Sequence, residues 1–418
     1  MRVLVVGGGG REHAICRALQ TGSVRPELVI APGNAGTARL GRNVAVNLQE
    51  PAQLVAVARQ EHAELVIVGP EQPLVLGLVD RLEAAGIRAC GPKMAAAKIE
   101  GSKAHLRELA ASANVPGPAF AILTEVHQVA RAVGRFAAPP VVKADGLAAG
   151  KGVFLPATHE ECIAQAEALL AGSLGDAGRT VVLEERLTGV EASAFFVCDG
   201  DVCVRWPSAR DHKRLRDGDQ GPNTGGMGAV SPNPALDDDT LREIEAQVVR
   251  PTLAALARRG TPYSGFLFAG LMLCERRPML LEFNARLGDP ETQAILPRLP
   301  AGAFLELADA CSRHSLRPAA VAEDPRVTCA VVLAAAGYPE RSRLGDPVDI
   351  EPGLESADRW LDYSGIKAKN GRLVTSGGRV ATVVARADSS TAAGGLAYRG
   401  VAMVRFAGAQ HRRDIGGR

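Results

Sequence analysis

Two oxygen-bearing side chains lie at alternate positions near the end of one apolar segment. Glu282 and Asn284 close the run MLLEFN, and both point to the same side if this run is a strand, because strand side chains alternate between faces. A carboxylate and an amide oxygen are hard ligands that suit Mg²⁺, which keeps waters and substrate phosphates in its remaining positions. Arg286 reaches the same face if the strand continues. The alternative is an ordinary strand end with a salt bridge.

Small residues and lysines suited to phosphate binding lie in the segment 140–156, PVVKADGLAAGKGVFLP. Small residues let backbone N–H groups approach an anion, and a lysine at a strand end supplies a compact positive charge. We predict two strands joined by a hairpin-like flap. A Walker-type P-loop is excluded, because the glycine spacing is one residue short, the hydroxyl is missing and no helix follows. An incidental surface hairpin is the alternative. The residues concerned are Lys143, Gly146, Gly150, Lys151 and Gly152.

The N-terminal glycine cluster Gly7–Gly10 follows a short β-branched run, as phosphate-binding turns often do. A dinucleotide fingerprint fails here, because Glu12 stands at the third glycine position and no acid follows the second strand. A single phosphate is the better expectation, and a tight turn without ligand is the alternative. Asn34 and Glu71 follow the next strands of the same predicted parallel sheet, so they should lie on the same edge.

Further charged residues follow other predicted elements. Lys103 lies near the start of a helix over 101–114, and acidic residues end a strand over 180–187, where a solvated strand end is the alternative. The segment 206–234 is a long stretch dense in Gly, Pro, Asn and Asp, which is typical of a functional loop.

Composition restricts the class of protein. The net charge of +2 and the aromatic content of 4% give no sign of a nucleic-acid or membrane partner. The eight cysteines form no C-x-x-C pair, so a zinc or iron–sulfur site is not expected and a reducing compartment fits. The N-terminus has no signal-peptide pattern, and the most apolar run, 266–274, is too short to cross a bilayer. We expect a cytoplasmic protein.

The order of predicted elements indicates a multidomain chain of α/β and α+β units. Strands alternate with helices over residues 1–100, among them a helix over 73–85, which predicts a parallel α/β sheet. Residues 101–322 form a central α+β unit with a small lobe at about 119–190 and a helix over 237–259. Residues 323–418 form a small β-rich α+β unit, in which the sequence shows no convincing cluster of polar chemistry.

The combination of separated lysines, a small-residue flap, acids after a strand and a Glu-x-Asn strand end resembles the ATP-grasp superfamily, which holds a nucleotide between two lobes of its central domain. Motifs along the whole chain, in order and at matching spacing, are similar to those of the phosphoribosylamine–glycine ligase (glycinamide ribonucleotide synthetase) family. They are GGREHA, APGNAG, VGPE, GSKA, KADGLAAGKGV, DHKR, GPNTGGMGA, EFNARLGDPETQ, TSGGRV and DIG.

The resemblance implies that ATP phosphorylates the glycine carboxylate, and that the amine of 5-phosphoribosylamine attacks the resulting acyl phosphate. The products would be glycinamide ribonucleotide, ADP and phosphate, in de novo purine synthesis. The implied metal is Mg²⁺ or Mn²⁺, and the implied partners are the small substrates alone, with a monomeric protein.

The resemblance also implies a role for each matching residue. ATP would be bound by Lys103, Lys143, Gly146, Gly150, Lys151, Gly152, Glu184, Glu185, Leu187 and Glu191, and the metal by Glu282 and Asn284. Catalysis would involve Asp211, Lys213 and Arg286, and substrates would be bound by Gly9, Gly10, Asn34, Glu71, Asp289, Glu291 and Thr292.

The sequence departs from the family pattern at Gly8, Arg210 and Leu287, where Asn, Gln and Phe are usual. Arg210 matters most, because it adds a cation beside the acceptor pocket.

The nearest alternative to this function is another ATP-grasp carboxylate–amine ligase or carboxylase of purine synthesis. A dinucleotide-dependent oxidoreductase and a non-catalytic nucleotide-binding scaffold are the alternatives from other classes.

Overall fold

The computed structural model describes residues 1–147 and 152–417. The N-terminal unit is a five-stranded parallel sheet in the order β3-β2-β1-β4-β5. Its elements are β1 (Arg2–Gly7), α1 (Gly10–Leu19), β2 (Glu27–Pro32), β3 (Arg42–Asn43), α2 (Pro51–Gln60), β4 (Leu65–Val68), α3 (Glu71–Val75), α4 (Leu78–Ala84) and β5 (Arg88–Cys90).

The alternation of side chains along β1 explains why this sheet is covered on both faces. Val3 and Val5 belong to one buried cluster, and Leu4 and Val6 belong to another. Both clusters continue into β10 and β16 of the central unit, so the two units share their apolar cores. The sheet is therefore fixed relative to the central unit by apolar packing.

The central unit contains two sheets that flank a cleft. The first part comprises α5 (Met94–Gly101), α6 (Lys103–Ser112), β6 (Phe120–Leu123), α7 (Val129–Val133), β7 (Val141–Ala144), β8 (Val153–Phe154), α8 (His159–Leu170) and β9 (Val181–Glu184). Its sheet, in the order β6-β9-β7-β8, has a separate apolar core with α7 and α8. This small lobe is consequently a packing unit of its own.

The remainder of the central unit comprises β10 (Val190–Asp199), β11 (Val202–Arg205), β12 (Arg210–Asp211), β13 (Arg214–Arg216), β14 (Gln220–Asn223), β15 (Gly228–Ser231), α9 (Asp238–Ile244), α10 (Arg250–Arg258), β16 (Ser264–Cys274), β17 (Arg277–Asn284), α11 (Glu291–Ile295) and α12 (Ala303–Ser312). The antiparallel sheet β11-β10-β16-β17 forms the floor of the cleft.

The C-terminal unit comprises β18 (Val327–Ala334), β19 (Asp349–Ile350), β20 (Arg359–Tyr363), β21 (Ile366–Lys369), β22 (Arg372–Thr375), β23 (Arg379–Ala387), α13 (Ser390–Val401) and β24 (Val404–Arg405). Its main sheet has the order β12-β15-β18-β23-β20, so two strands from before residue 323 join it. The central and C-terminal units are thus hydrogen-bonded to each other through the β15–β18 pair.

Three sequence predictions of local structure were wrong. The stretch 206–234 holds four short strands, because their pairing depends on β18 and on each other rather than on a local β pattern. The helix expected over 73–85 is broken at Gly77, whose φ of 78° is left-handed. The strand expected over 180–187 ends at Glu184.

The helix expected over 237–259 does run without a break, but a π-helical turn at Glu245–Val249 joins α9 to α10. Pro251 lacks an N–H group and clashes with the carbonyl one turn earlier, which favours such a local widening. Over the described ranges, the structure has no helix long and apolar enough to cross a membrane. All eight cysteines are free thiols.

Candidate active site

Lys143 is positioned by a buried acid. Its Nζ atom lies 2.7 Å from a carboxylate oxygen of Glu184, and Arg107 donates two hydrogen bonds of 2.7 and 3.0 Å to the same carboxylate. Burial acts to raise the pKa of Glu184, but the charges of Lys143 and Arg107 outweigh it and hold the pKa below its usual range. The Glu184 side chain is therefore engaged by two cations, and its contact with ATP stays a prediction.

Lys103 lies at the start of α6, directly below the flap. Its Nζ donates to the carbonyl of Gly146 at 3.4 Å. Asp145 in the flap accepts from Ser102 Oγ at 3.0 Å and from Ala104 N–H at 2.7 Å, and so ties the flap to the helix start. Burial lowers the pKa of Lys103, against the opposing charge of Glu282.

The flap follows the predicted hairpin arrangement. Strands β7 and β8 pair antiparallel through Val142–Phe154 and Lys143–Val153. Gly146 and Gly152 lie at the two ends of the connection. Two predicted flap residues, Gly150 and Lys151, lie outside the described residues.

The predicted adenine residues lie in the connection between β9 and β10, and the predicted ribose residue, Glu191, lies at the start of β10. Glu185 and Leu187 lie in a segment of irregular backbone, which begins with a hydrogen bond from Glu185 N–H to the carbonyl of Ala119 at 2.8 Å. Glu191 has an exposed carboxylate 3.3 Å from Lys213 Nζ. The structure thus places an accessible acid near the lysines, at the edge of the cleft.

Glu282 and Asn284 lie on the same face of β17, as the sequence predicted. Glu282 forms no ion pair within 4.0 Å among the described residues, although Lys213, Lys143 and Lys103 outweigh the effect of burial and lower its pKa. Asn284 Oδ1 accepts a hydrogen bond from Arg286 Nη2 at 3.0 Å. The described residues contain no cluster of three or more acidic, His or Cys ligands. Two hard oxygens fit a Mg²⁺ ion that takes its other ligands from phosphates and water.

Arg286 is held in place by two carboxylates. Its Nη2 lies 2.9 Å from Glu100 and its Nε lies 3.2 Å from Glu71. Burial raises the pKa of Glu100 to about 7, against the charge of Arg286, which acts to lower it. The pKa of Glu71 is lowered, because the charge of Arg286 together with that of Arg11 outweighs burial. Glu71 therefore contacts Arg286, two residues beyond the end of β17.

Asp211, Lys213 and Glu291 meet where β12 approaches α11. One oxygen of Asp211 is buried and has no hydrogen-bond partner among the described residues. Burial and the charge of Glu291 raise the pKa of Asp211. Burial also raises the pKa of Glu291, and the acids around Lys213, first Glu191 and then Glu282, raise the pKa of that lysine despite burial. This corner therefore combines an ammonium group with two carboxyl groups that hold protons more tightly than usual.

A side chain of α1, that of Glu12, accepts a hydrogen bond from the glycine turn after β1. Glu12 accepts a hydrogen bond of 2.6 Å from Gly9 N–H, so this amide is already used, and the pairing of Glu12 with Arg11 at 2.6 Å keeps the acid in place. At Gly10 a Cβ atom would come within 2.6 Å of Ser364 and Gln293. A side chain at this position would require Ser364 and Gln293 to move, so α1 packs closely against the later units here.

The Asn34 side chain forms a clasp, that is, a set of hydrogen bonds that joins the turn after β2 to the turn after β1 and to the end of β20. Its Nδ2 donates to the carbonyls of Gly8 at 3.0 Å and Tyr363 at 2.8 Å, and its Oδ1 accepts from the N–H groups of Gly36 and Thr37. With all these partners, the Asn34 side chain has no spare group for a sugar phosphate. The expected position on the rim is confirmed, but the contacts are internal.

Asp289 joins the three units around the acceptor side of the cleft. Its carboxylate accepts from Gln293 Nε2 at 2.8 Å and lies 3.4 Å from Arg379 Nη2. Arg379 and Arg11 lower the pKa of Asp289 against the effect of burial. Thr292, by contrast, is fully buried and donates to the Gly288 carbonyl, so it supports the turn and does not face the cleft.

Sequence reasoning missed Arg107, Glu100, Arg11 and Arg379. Arg107 and Glu184 are 77 residues apart, and Glu100 accepts from Ala285 N–H across 185 residues. Arg379 comes from the C-terminal unit, in which no polar cluster was expected, and it also donates to the Gly225 and Asp289 carbonyls. Two of the four lay in motifs that the sequence analysis quoted, since GGREHA contains Arg11 and TSGGRV contains Arg379.

The whole chain resembles known proteins. Family models for phosphoribosylglycinamide synthetase match residues 1–100 (N domain), 101–292 (ATP-grasp domain) and 328–418 (C domain). Proteins called phosphoribosylamine–glycine ligase from Vibrio parahaemolyticus and Ralstonia nicotianae are 43% and 42% identical to this chain. Both matches cover 100% of it, with 98% and 99% of the respective relatives.

Solved structures agree with the sequence relatives. A crystal structure of phosphoribosylamine–glycine ligase from Thermotoga maritima has a TM-score of 0.87 and 34% identity, and covers 99% of this chain and 100% of its own. The biotin carboxylase domain of 2-oxoglutarate carboxylase from Hydrogenobacter thermophilus has a TM-score of 0.77 at 15% identity, covering 98% and 91%, which shows the fold alone. These comparisons confirm the predicted fold class, an α/β unit, an ATP-grasp unit and a mixed C-terminal unit.

Proposed function

The chain belongs to the phosphoribosylglycinamide synthetase family, and on that premise we propose that it joins glycine to 5-phosphoribosylamine at the expense of ATP. The products are glycinamide ribonucleotide, ADP and phosphate, in purine synthesis. The observation that carries this proposal is that the charges of Lys213, Lys143 and Lys103 all act on the buried carboxyl of Glu282 and lower its pKa. Such a group of cations around one acid suits the phosphates of ATP and a metal ion.

ATP binds between the small lobe and the β10–β16–β17 sheet. Lys103 and Lys143 hold its phosphates, and the flap from Gly146 to Gly152, including Gly150 and Lys151, closes over them. The backbone around Glu185 and Leu187 receives the adenine, and Glu191 takes the ribose hydroxyls. Glu184 has a positioning role, because its carboxylate fixes Lys143.

Glu282 and Asn284 hold Mg²⁺ or Mn²⁺, which neutralises phosphate charge when bound. Glu282 suits this role because, among the described residues, it forms no ion pair at contact distance, whereas neighbouring lysines keep it ionised. Asn284 is oriented by Arg286.

The first chemical step activates glycine. An oxygen of the glycine carboxylate attacks the γ-phosphorus of ATP, the bond to the β–γ bridging oxygen breaks, and ADP leaves. Arg286, held by Glu71 and Glu100, and Lys213 orient the carboxylate and offset the charge that develops during transfer. The product is glycyl phosphate, in which phosphate is a good leaving group.

The second step forms the amide. The amine of phosphoribosylamine attacks the carbonyl carbon of glycyl phosphate, phosphate departs, and the nitrogen loses a proton. An ionised carboxylate of the Asp211–Glu291 pair accepts that proton, since its raised pKa makes it a stronger base than an ordinary carboxylate. Gly10 and Arg379 face the sugar phosphate, and Asp289 positions Arg379.

The partners and the cellular compartment are inferred from the substrates and the composition. The reaction needs no nucleic acid or membrane, and we place it in the cytoplasm, where the eight free thiols remain reduced. One chain supplies every residue assigned above, so a monomer is sufficient.

The proposal is tested by ADP release from the purified protein with Mg-ATP, omitting one component at a time. Phosphoribosylamine is generated in place from ribose 5-phosphate and ammonia. The expected result is release that requires both glycine and the amine. Release without either, or only with a different acid, would keep the fold assignment and overturn the substrate assignment.

A further inference from the structure

A cavity of about 570 Å³ lies outside the site described above. It opens where α1, the turn after α11 and the strand β20 come together. Part of its wall is apolar, with side chains that can pack against a flat molecule. These are Ala14, Ala18, Leu296, Pro297, Leu299, Pro300 and Phe304.

The polar part of the wall contains hydrogen-bonding groups without partners. Ten buried side-chain polar atoms have no hydrogen-bond partner among the described residues, and four of them belong to residues that line this cavity. They are two donors and two acceptors: Trp360 Nε1, Arg386 Nε, Asp362 Oδ2 and Gln293 Oε1. Gln293 is fully buried and Asp362 is 1% exposed. Such groups are costly unless something pairs with them, so their concentration here points to an occupant.

The charges of the wall restrict what that occupant can be. Four carboxylates, of Glu323, Asp324, Glu355 and Asp362, face the cavity with only two guanidinium groups, of Arg17 and Arg386. Both arginines already pair with these acids, Arg17 with Asp362 at 3.3 Å and Arg386 with Asp324 at 3.3 Å. Glu323 and Asp324 pair in addition with Arg298 at 2.9 Å and Arg326 at 2.6 Å. Among the described residues, a charged ligand would therefore find no free counter-charge in the wall.

We propose that this cavity binds an uncharged planar heterocycle with both N–H donors and ring or carbonyl acceptors, which is the chemistry of a nucleobase or its nucleoside. The volume suits a small molecule of this size. The apolar side chains cover its faces, and the donors and acceptors of the wall pair with its edge after small side-chain rotations. A phosphorylated nucleotide is disfavoured, because the arginines at the wall are already paired with its acids.

Two residues that line the cavity also contact Asp289 and α1, next to the candidate active site. Gln293 Nε2 donates to Asp289 at 2.8 Å, and Asp362 Oδ1 lies 3.0 Å from Nδ1 of His13 on α1. No residue of the small lobe lines it. It is therefore distinct from the proposed ATP site, although an occupant would touch residues that hold Asp289 and α1.

The test is isothermal titration of the full chain with adenine, hypoxanthine and adenosine, after the ATP site has been saturated with Mg²⁺ and a non-hydrolysable ATP analogue. We expect one further site for at least one of these probes, and at least tenfold weaker binding of AMP than of adenosine. Ala301→Trp, at the exposed rim, fills the mouth and should weaken binding at least tenfold, whereas Ala52→Trp on the exposed face of α2 should not. Absence of binding for all three probes, unchanged binding in Ala301→Trp, or stronger binding of AMP would overturn the proposal.

Tryptophan fluorescence gives a second measurement that does not depend on the filled variant. The chain has only two tryptophans, of which Trp206 is fully buried elsewhere and Trp360 lines the cavity. Under the same saturated conditions, the probe should change the emission of the wild type and leave that of Trp360→Phe unchanged. The same change in Trp360→Phe, or no change in the wild type, would contradict the assigned position. Both assays measure binding alone, so they stand or fall separately from the ligase assignment.

Discussion

The ammonium nitrogen of Lys143 lies 2.7 Å from the buried carboxylate of Glu184, and this contact sets the position of the lysine in the cleft. Arg107 completes the arrangement, because it binds the same carboxylate and also donates to the Leu280 and Leu281 carbonyls of β17. The phosphate-binding lysine is therefore linked to the strand that carries Glu282 through a chain of direct contacts.

Lys143→Ala should weaken ATP binding. Loss of one charge-assisted contact is worth about 1.5–3 kcal/mol, or roughly a ten- to hundredfold increase in the KM for ATP. Steady-state kinetics at saturating glycine and amine give this value. Lys98→Ala, an exposed lysine on α5, is the control and should leave the KM unchanged. Equal KM values for ATP in both variants would remove Lys143 from the phosphate site.

Glu282→Ala should abolish turnover at ordinary Mg²⁺ concentrations while leaving the fold intact. The reason is that the strand end would lose its only carboxylate ligand for the metal. Turnover is measured by ADP release, and folding by circular dichroism. Glu275→Ala, in the exposed turn before β17, should behave like the wild type. Near-normal turnover of Glu282→Ala would rule out this metal assignment.

Asn34→Ala should destabilise the fold, because it leaves several buried backbone groups without partners. The expected loss is about 1–3 kcal/mol in the free energy of unfolding, measured with urea. Asn47→Ala removes an exposed side chain that bonds only to Gln49 and Glu50, outside the clasp, and should cost much less. A similar loss in the two variants would show that the link from Asn34 to Gly8 and Tyr363 contributes little.

Glu100→Gln should change the dependence of stability on pH. Burial raises the pKa of Glu100 to about 7 in the folded state, above the 4.5 of the free side chain. The folded state therefore holds the proton more tightly, so the wild type should lose stability as pH rises from about 4.5 to about 7, by at most about 3 kcal/mol. Glutamine cannot ionise, so Glu100→Gln should not show this loss of stability.

Urea unfolding of the wild type and Glu100→Gln at pH 5, 6, 7 and 8 measures this difference. Only the difference between the two proteins is informative, since Asp211 and Glu291 contribute to both. Parallel stability curves over this range would show that Glu100 does not titrate there, in which case its ion pair with Arg286 outweighs its burial.

Arg379→Ala should raise the KM for phosphoribosylamine at least tenfold and leave the KM for ATP close to normal. Arg379 lies 3.4 Å from Asp289, where we place the sugar phosphate of the acceptor. Arg372→Ala, an exposed arginine on β22, is the matched control. An increase confined to the KM for ATP would contradict the assignment of Arg379 to the sugar phosphate.

Local periodicity predicted the parts of the site that lie on one strand. Glu282 and Asn284 alternate along β17, so strand geometry places them together, whereas Arg286 lies two residues beyond the strand end and reaches Asn284 through its side chain. The parallel order of the first sheet likewise placed the turns after β1, β2 and β4 on one edge. These inferences depend on residues close in sequence or on one regular sheet.

Contacts between distant segments could not be predicted in the same way. Three hydrogen bonds illustrate this: Asn34 donates to the Tyr363 carbonyl, Gly9 N–H donates to Glu12, and Arg107 donates to Glu184. Each of them forms because a polar group at a buried or partly buried position needs a partner. A burial-driven pairing leaves no periodic signal in the sequence. For the same reason the Gly-rich stretch 206–234 resembled a loop, although tertiary pairing makes it four strands.

Oxygen transfer from glycine to phosphate is the most direct test of the proposed mechanism. The purified protein would turn over glycine labelled with ¹⁸O in its carboxylate, together with Mg-ATP and phosphoribosylamine, and the released phosphate would be examined by mass spectrometry. A glycyl phosphate intermediate predicts one ¹⁸O atom in each phosphate formed. Unlabelled phosphate, with both labels retained in glycine, would show that ATP is cleaved without activating the carboxylate and would contradict the account.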